Sequence, residues 1–185
     1  MAITEPWQTA EIAGPLKANT ITKPEVVSSL VKKSKRPILV VGHKVVEKFE
    51  TSSDSIDCII ALAKAGNITL VATAHVVKDF LQRGYHPSAS MPAVDIANRL
   101  RDPSWRGLDD KGPYDLLLIL GIPYYMEWLI LSGLKHFAQD LIIISLDRFY
   151  QPHATWSFPN ISFEKWQENF NVIIDKLRGK HNVNV

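Results

Sequence analysis

Short runs of branched apolar residues recur along the chain, each bounded by residues that interrupt regular structure. The first run, Ile-Leu-Val-Val at positions 38–41, begins after Pro37 and ends at Gly42. Because it is apolar at every position, it predicts a strand buried on both faces, as at the centre of a parallel sheet. Pro37 lacks an amide donor and therefore suits the start of the strand. Gly42 permits the sharp turn that must follow it.

The same pattern recurs downstream, with helical spacing in the intervals. Strands are predicted at residues 68–73, 114–121 and 141–146, and a short edge strand is predicted at 154–158 between Pro152 and Pro159. Apolar residues spaced three and four apart predict amphipathic helices, for example at residues 126–137, with Leu129 and Phe137 on the apolar face. Strands that alternate with helices predict a parallel α/β sandwich.

The two ends of the chain lack this alternation. Residues 1–21 contain Trp7 and two prolines, and we expect them to form an arm that packs on the body or on a partner. Residues 22–178 are predicted to form a single domain, and residues 179–185 a polar tail. A chain of 185 residues is long enough for one domain with a substantial core.

Composition and charge exclude several functions. The chain has 21 Lys and Arg against 19 Asp and Glu, with no basic tract, so no nucleic-acid partner is expected. Cys58 is the only cysteine, which excludes an internal disulfide, a self-contained iron–sulfur cluster and a four-cysteine zinc site. The longest apolar run is too short to span a bilayer, and residues 1–19 lack the apolar core of a signal peptide. We therefore expect a cytoplasmic protein without a membrane partner.

Residues that follow the predicted strands are the candidates for ligand binding. In a doubly wound order, a crevice opens between the strands at 38–41 and 114–121, beyond their carboxyl ends. Glycines there would let a ligand approach the backbone, and basic or imidazole side chains could neutralise a phosphate. The predicted cofactor-binding set is Gly42, His43, Lys44, Thr73, His75, Gly121 and Ile122. The alternative is that these are ordinary turn residues, because the second glycine of a dinucleotide fingerprint is missing after Gly42.

No motif predicts catalysis or a metal site. The six histidines show no metal-ligand spacing, and the chain has no nucleophile elbow. We therefore predict neither catalytic residues nor metal ligands. Trp105 with Arg106 is the aromatic pair of most interest, and it suits core packing and interface anchoring equally.

A polar loop carries a resemblance to a known family. The loop reads Arg-Asp-Pro-Ser-Trp-Arg-Gly-Leu-Asp at 101–109, followed by Gly-Pro-Tyr-Asp at 112–115. With Lys-Arg-Pro-Ile-Leu-Val-Val-Gly at 35–42, Ala-Gly-Asn-Ile at 65–68, Ala-Thr at 72–73 and Ala-Thr-Trp-Ser-Phe at 154–158, it resembles the epsilon subunit of the archaeal acetyl-CoA decarbonylase/synthase complex. The similarity spans about residues 20 to 177, and the loop is its specific part.

The resemblance implies a three-layer α/β/α Rossmann-like domain with a mostly parallel sheet, of the deoxyhypusine-synthase-like NAD/FAD-binding type. It further implies an accessory subunit of carbon monoxide dehydrogenase, within a larger complex that reversibly cleaves acetyl-CoA. In this family the nickel and iron–sulfur clusters belong to the alpha subunit, and the expected unit is alpha2–epsilon2. The epsilon role is stabilisation of alpha, or help with electron transfer to FAD. No tightly bound cofactor is expected, and FAD is the one that the resemblance suggests.

Two other interpretations remain open from the sequence. One is a stand-alone flavin- or nucleotide-binding module for electron transfer. The other is a domain related to the middle domain of thiamine-diphosphate enzymes, which share the strand that begins at Pro37. An exposed partner surface would also favour self-association of the isolated subunit into a homo-oligomer.

Overall fold

A computed structural model describes residues 16–47 and 52–179 of the chain. Within these stretches lie seven strands: β1 (Asn19–Thr20), β2 (Pro37–Val41), β3 (Thr69–Ala72), β4 (Ala89–Ser90), β5 (Leu116–Leu120), β6 (Ile142–Ser145) and β7 (Trp156–Ser157). The same stretches contain seven helices: α1 (Glu25–Lys33), α2 (Lys44–Glu47), α3 (Ser52–Gly66), α4 (Ala74–Leu81), α5 (Ala93–Leu100), α6 (Tyr124–Phe137) and α7 (Phe163–Arg178). Most of the predicted arm, and residues 180–185 of the predicted tail, lie outside the described residues.

The described strands form one sheet in the order β1-β7-β6-β5-β2-β3-β4, and every pairing is parallel. In the centre, Ile38 of β2 lies opposite Leu117 of β5 and Thr69 of β3. Every residue of β2 and β5 is buried because helices cover both faces of the sheet. The predicted three-layer α/β/α Rossmann-like fold is confirmed, with a sheet that is wholly parallel in the described residues.

The helices cover the two faces unequally. One face packs against α1, α3, α4 and α7, with the short α2 at its edge, and forms a first core around residues such as Phe80 and Phe170. The other face packs against α5 and α6 and forms a second core, which includes Ile96, Leu131 and Leu134. Among the described elements, five helices therefore cover the first face and two cover the second.

The short strands differ from the prediction. β7 lies between β6 and β1, because Trp156 pairs with Ile144 on one side and Asn19 on the other. The prediction of an edge strand at 154–158 was wrong, since two residues of the predicted arm add to the sheet beyond it. Asn19 and Thr20 carry no apolar run, so only their pairing with β7 makes them a strand.

Candidate functional site

Gly42 and Gly121 end the two central strands, and their loops pack directly against each other. The amide of Gly42 donates to the carbonyl of Leu120, and the amide of Lys44 donates to the carbonyl of Gly121, both at 2.9 Å. A β-carbon added to Gly42 would lie 2.3 Å from the carbonyl oxygen of Gly121. Gly121 has φ +72°, and a β-carbon there would lie 2.4 Å from Cγ1 of Val45. The packing of the two loops therefore requires glycine at both positions.

The backbone amides at this edge are engaged within the protein. The amide of Gly121 donates to Oδ2 of Asp147 at 2.8 Å, and that of Thr73 donates to the carbonyl of Val41 at 2.9 Å. A dinucleotide-binding turn presents amide donors to the pyrophosphate at the start of a helix. Because the amides of Gly42, Lys44 and Gly121 donate to protein oxygens, these residues do not form a backbone cradle of that kind.

The predicted side chains separate into different environments. The rings of His43 and His75 lie 5.7 Å apart between centroids. The hydroxyl oxygen of Thr73 is buried and makes no hydrogen bond in the described part of the chain. Ile122 is buried in the second core. Lys44 lines a small cavity of about 60 Å³, together with Val45, Leu120, Asp147, Arg148, Phe163 and Trp166.

Asp147 is a residue of this edge that the predicted set omits. It lies two residues beyond the end of β6, is almost fully buried, and accepts a hydrogen bond from the amide of Gly121. It thereby holds the loop after β5 in its left-handed conformation. The available signal was an acidic residue at the end of an apolar strand, a place where an unsolvated carboxylate requires a hydrogen-bond donor.

The loop at residues 101–113 lies at the opposite, amino edge of the sheet. Asp109 forms an ion pair with Arg36, which directly precedes β2, and this hydrogen bond lowers the pKa of Asp109. The guanidinium of Arg36 lies 5.0 Å from the centroid of the Tyr114 ring. The ring of Trp105 lies 5.7 Å from that of Tyr114, and Trp105 packs against the second core. Of the two interpretations of Trp105, the structure shows core packing.

Asp115 fixes the same edge by joining the starts of the two central strands. It accepts hydrogen bonds from the Ser34 hydroxyl and from the amides of Lys35 and Arg36. Burial acts to raise the pKa of Asp115, but the three hydrogen bonds outweigh it and the pKa is lowered. The contacts at the amino edge therefore join the starts of β2 and β5, and they lie at the opposite edge of the sheet from Gly42 and Gly121.

A stripe of exposed apolar side chains lies on α6. Tyr125, Leu129 and Phe137 are 67%, 62% and 69% exposed. Spacings of four and eight residues place them on one face of the helix, with Gly133 between Leu129 and Phe137. Single exposed apolar residues are ordinary, but a contiguous apolar patch is typical of an interaction surface.

The described part of the chain lacks both a metal-ligand cluster and a membrane-spanning helix. Residues 16–47 and 52–179 contain no group of three or more His, Cys, Asp or Glu side chains placed to hold a metal ion. In the same residues, no helix has the length and apolar character needed to cross a membrane.

The strand order and the helical layers define a Rossmann-like α/β domain, with its switch point between β2 and β5. The family described as CO dehydrogenase beta subunit/acetyl-CoA synthase epsilon subunit matches residues 2–174, and the chain belongs to this family. The resemblance of the chain to the epsilon subunit is therefore confirmed.

Individual relatives that match this chain over most of their length are named as epsilon subunits. The chain is 36% identical over 173 residues to the acetyl-CoA decarbonylase/synthase complex subunit epsilon of Methanothrix soehngenii, covering 93% of this chain and 88% of that protein. It is 32% identical over 161 residues to the subunit epsilon of Methanothermobacter thermautotrophicus, covering 87% and 89%. It is 36% identical over 148 residues to subunit epsilon 1 of Archaeoglobus fulgidus, covering 79% and 77%.

Proposed function

We propose that this chain is a non-catalytic accessory subunit of the carbon monoxide dehydrogenase component of the complex, where it binds and stabilises the alpha subunit in an alpha2–epsilon2 unit. The observation that carries the proposal is the exposed apolar stripe Tyr125, Leu129 and Phe137 on α6. An accessory subunit acts through its surface, and a contiguous apolar surface is what a permanent partner covers. The stripe lies on α6, in the layer that only two of the described helices form.

The test compares the alpha subunit purified alone with the same subunit mixed with this chain. A partner that binds only the folded state stabilises it by mass action. We expect the two chains to co-migrate in gel filtration, and the half-life of CO oxidation at elevated temperature to lengthen with increasing concentration of this chain. An unchanged half-life, with separate elution of the two proteins, would overturn the proposal.

A second candidate role is FAD binding at the carboxyl edge of the sheet, as an aid to electron transfer. Its support is the switch point between β2 and β5, beside which His43 and His75 lie together. The Thr73 hydroxyl there is buried and has no hydrogen-bond partner among the described residues. Since the nearby amides donate to protein oxygens, a flavin phosphate would be met by side chains, namely the two imidazoles and Lys44.

Flavin fluorescence and calorimetry test this role, with His75→Ala as the variant and His86→Ala as the matched control. Both histidines are exposed, but only His75 lies at the switch point. A replacement of Gly42 is unsuitable because the added β-carbon would meet backbone and disturb the loop itself. We expect saturable binding that His75→Ala weakens and His86→Ala does not. Absence of saturation at high micromolar FAD would exclude this role and leave the stabilising role unaffected.

A further inference from the structure

The groove between α5 and α6 has a shape suited to another helix. It has a volume of about 230 Å³, and Val94 and Ala97 from α5 line one wall, with Leu129 and Gly133 from α6 on the other. Val94 is itself 48% exposed, so the apolar surface continues from one helix to the other. Ridges of side chains from two helices with a groove between them form a surface into which a third helix can pack.

Gly133 lies in the middle of α6, where glycine is unfavourable. A central glycine costs a helix about 1 kcal/mol relative to alanine. Packing within the described part of the chain does not explain the glycine, because a β-carbon added to Gly133 would lie within 4 Å of no described atom apart from the backbone and adjacent residues of α6. Its neighbours four residues before and after are the exposed Leu129 and Phe137. A missing side chain between two large ones is what allows the backbone of a partner helix to approach closely.

Arg101 lines the end of the groove and is its one charged residue in the described chain. Its guanidinium lies 5.9 Å from the centroid of the Phe137 ring. Among the described residues, Arg101 forms no ion pair with a carboxylate. A partner that buries the groove must also meet this charge, because a buried cation without an anion is strongly unfavourable.

A second α6 could not supply that anion. Glu127 is the only acidic residue of α6. It is 1% exposed and accepts a hydrogen bond from the Ser145 hydroxyl at 2.7 Å, so its carboxylate is directed into the protein. The last turn of α6 instead carries Lys135 and His136. A second copy of this helix would therefore offer no carboxylate to Arg101, which disfavours pairing of two copies through α6.

We propose that the groove between α5 and α6 is the surface on which the alpha subunit seats a helix. The helix crosses α6 at Gly133, places apolar side chains against Leu129 and Phe137, and presents a carboxylate to Arg101. This inference rests on the proposed function, since it assigns the surface through which the accessory subunit binds.

The test measures the affinity of full-length variants for the alpha subunit, together with their melting temperatures. Gly133→Leu is the most informative variant, because it improves helix propensity and its β-carbon lies within 4 Å of no described atom apart from the backbone and adjacent residues of α6. We expect its melting temperature to equal or exceed that of the unmodified chain, while its affinity falls at least about tenfold. Arg101→Glu is expected to lose a similar factor. Leu81→Asp is the control, because Leu81 is also an exposed apolar residue but lies on α4, on the other face.

The outcomes separate this inference from the function on which it rests. If the unmodified chain binds alpha and both groove variants bind equally well, the surface is wrong and the accessory role stands. If the unmodified chain does not bind alpha, both fail together. If the variants change only the self-association of this chain, measured by light scattering, the groove joins two copies and the inference is overturned.

Discussion

Replacement of Gly121 by alanine tests the account of the switch point most sharply. Two effects add at this position. The residue has φ +72°, a conformation that costs a residue with a β-carbon about 1 kcal/mol. The added β-carbon would also lie 2.4 Å from Cγ1 of Val45 and 2.9 Å from the carbonyl oxygen of Gly42. Val45 is buried, so it has no solvent to move into.

Overlap of this kind in a packed site costs about 1–3 kcal/mol in addition. The total for Gly121→Ala is therefore about 3 kcal/mol. Gly84→Ala is the matched control, because Gly84 has nearly the same φ, +67°, but no atom lies within 4 Å of an added β-carbon. Only the conformational cost of about 1 kcal/mol applies there. The difference between the two variants isolates the close approach of the two loops.

Thermal and urea unfolding of the two variants measure this difference. For a chain of this size, 1 kcal/mol corresponds to about 2–4 °C in melting temperature. We expect Gly84→Ala to melt about 2–4 °C below the unmodified chain and Gly121→Ala about 6–12 °C below it. Equal losses in the two variants would refute the reasoning, since the loops would then accommodate the β-carbon and packing would not explain the glycine.

Three further predictions concern the amino edge and the first core. Asp115→Ala removes three hydrogen bonds to a carboxylate and is expected to lower the free energy of unfolding by about 2–3 kcal/mol at neutral pH. Because folding lowers the pKa of Asp115, its contribution to stability is complete above the unfolded pKa of about 3.9 and is lost as the pH falls through the folded pKa. Urea unfolding at pH 7 and pH 3 should therefore show that acid lowers the free energy of unfolding less in Asp115→Asn than in the unmodified chain. Trp105→Ala is expected to lower the free energy of unfolding in urea by about 2–3 kcal/mol, because the contact with Tyr114 is lost, and to leave affinity for alpha unchanged. Weakened binding at unchanged stability would contradict the role of Trp105 in the core. Trp166→Phe leaves the buried carbonyl of Leu146 without its donor at 2.6 Å and should cost about 1–2 kcal/mol in thermal unfolding, whereas an unchanged melting temperature would contradict this.

The long strands were predictable because burial on both faces is visible in the residues themselves. Strand β2 consists of apolar residues between a proline and a glycine, and β5 is apolar at all five positions. The two-residue strands β1 and β4 have no such signal. Asn19 is a strand residue only because Trp156 lies opposite it in the finished sheet.

The exposed stripe could not be predicted from periodicity. Leu129 and Phe137 were expected on the apolar face of their helix, yet both are more than half exposed. In α6 apolar residues occur almost all round the helix, so the spacing alone does not indicate which of them contact the sheet. The structure resolves this, because Leu131 and Leu134 are the ones that are buried.

The glycines at the switch point show a different limit of the sequence. Gly42 and Gly121 were expected to admit a ligand, and FAD binding there stays a prediction. Their requirement for packing depends on a distance between two loops almost eighty positions apart in the chain. The same holds for Asp147, whose partner is the amide of Gly121.

Hydroxyl-radical footprinting of this chain, free and bound to the alpha subunit, tests the central claim most directly. The method reports the solvent exposure of individual Tyr, Leu and Phe side chains. We expect Tyr125, Leu129 and Phe137 to lose most of their reactivity in the complex, while the reactivity of Leu81 on the opposite face stays unchanged. Unchanged reactivity of all three in a complex that has demonstrably formed would contradict the account, and protection confined to residues 42–44 or 105–113 would place the interface elsewhere.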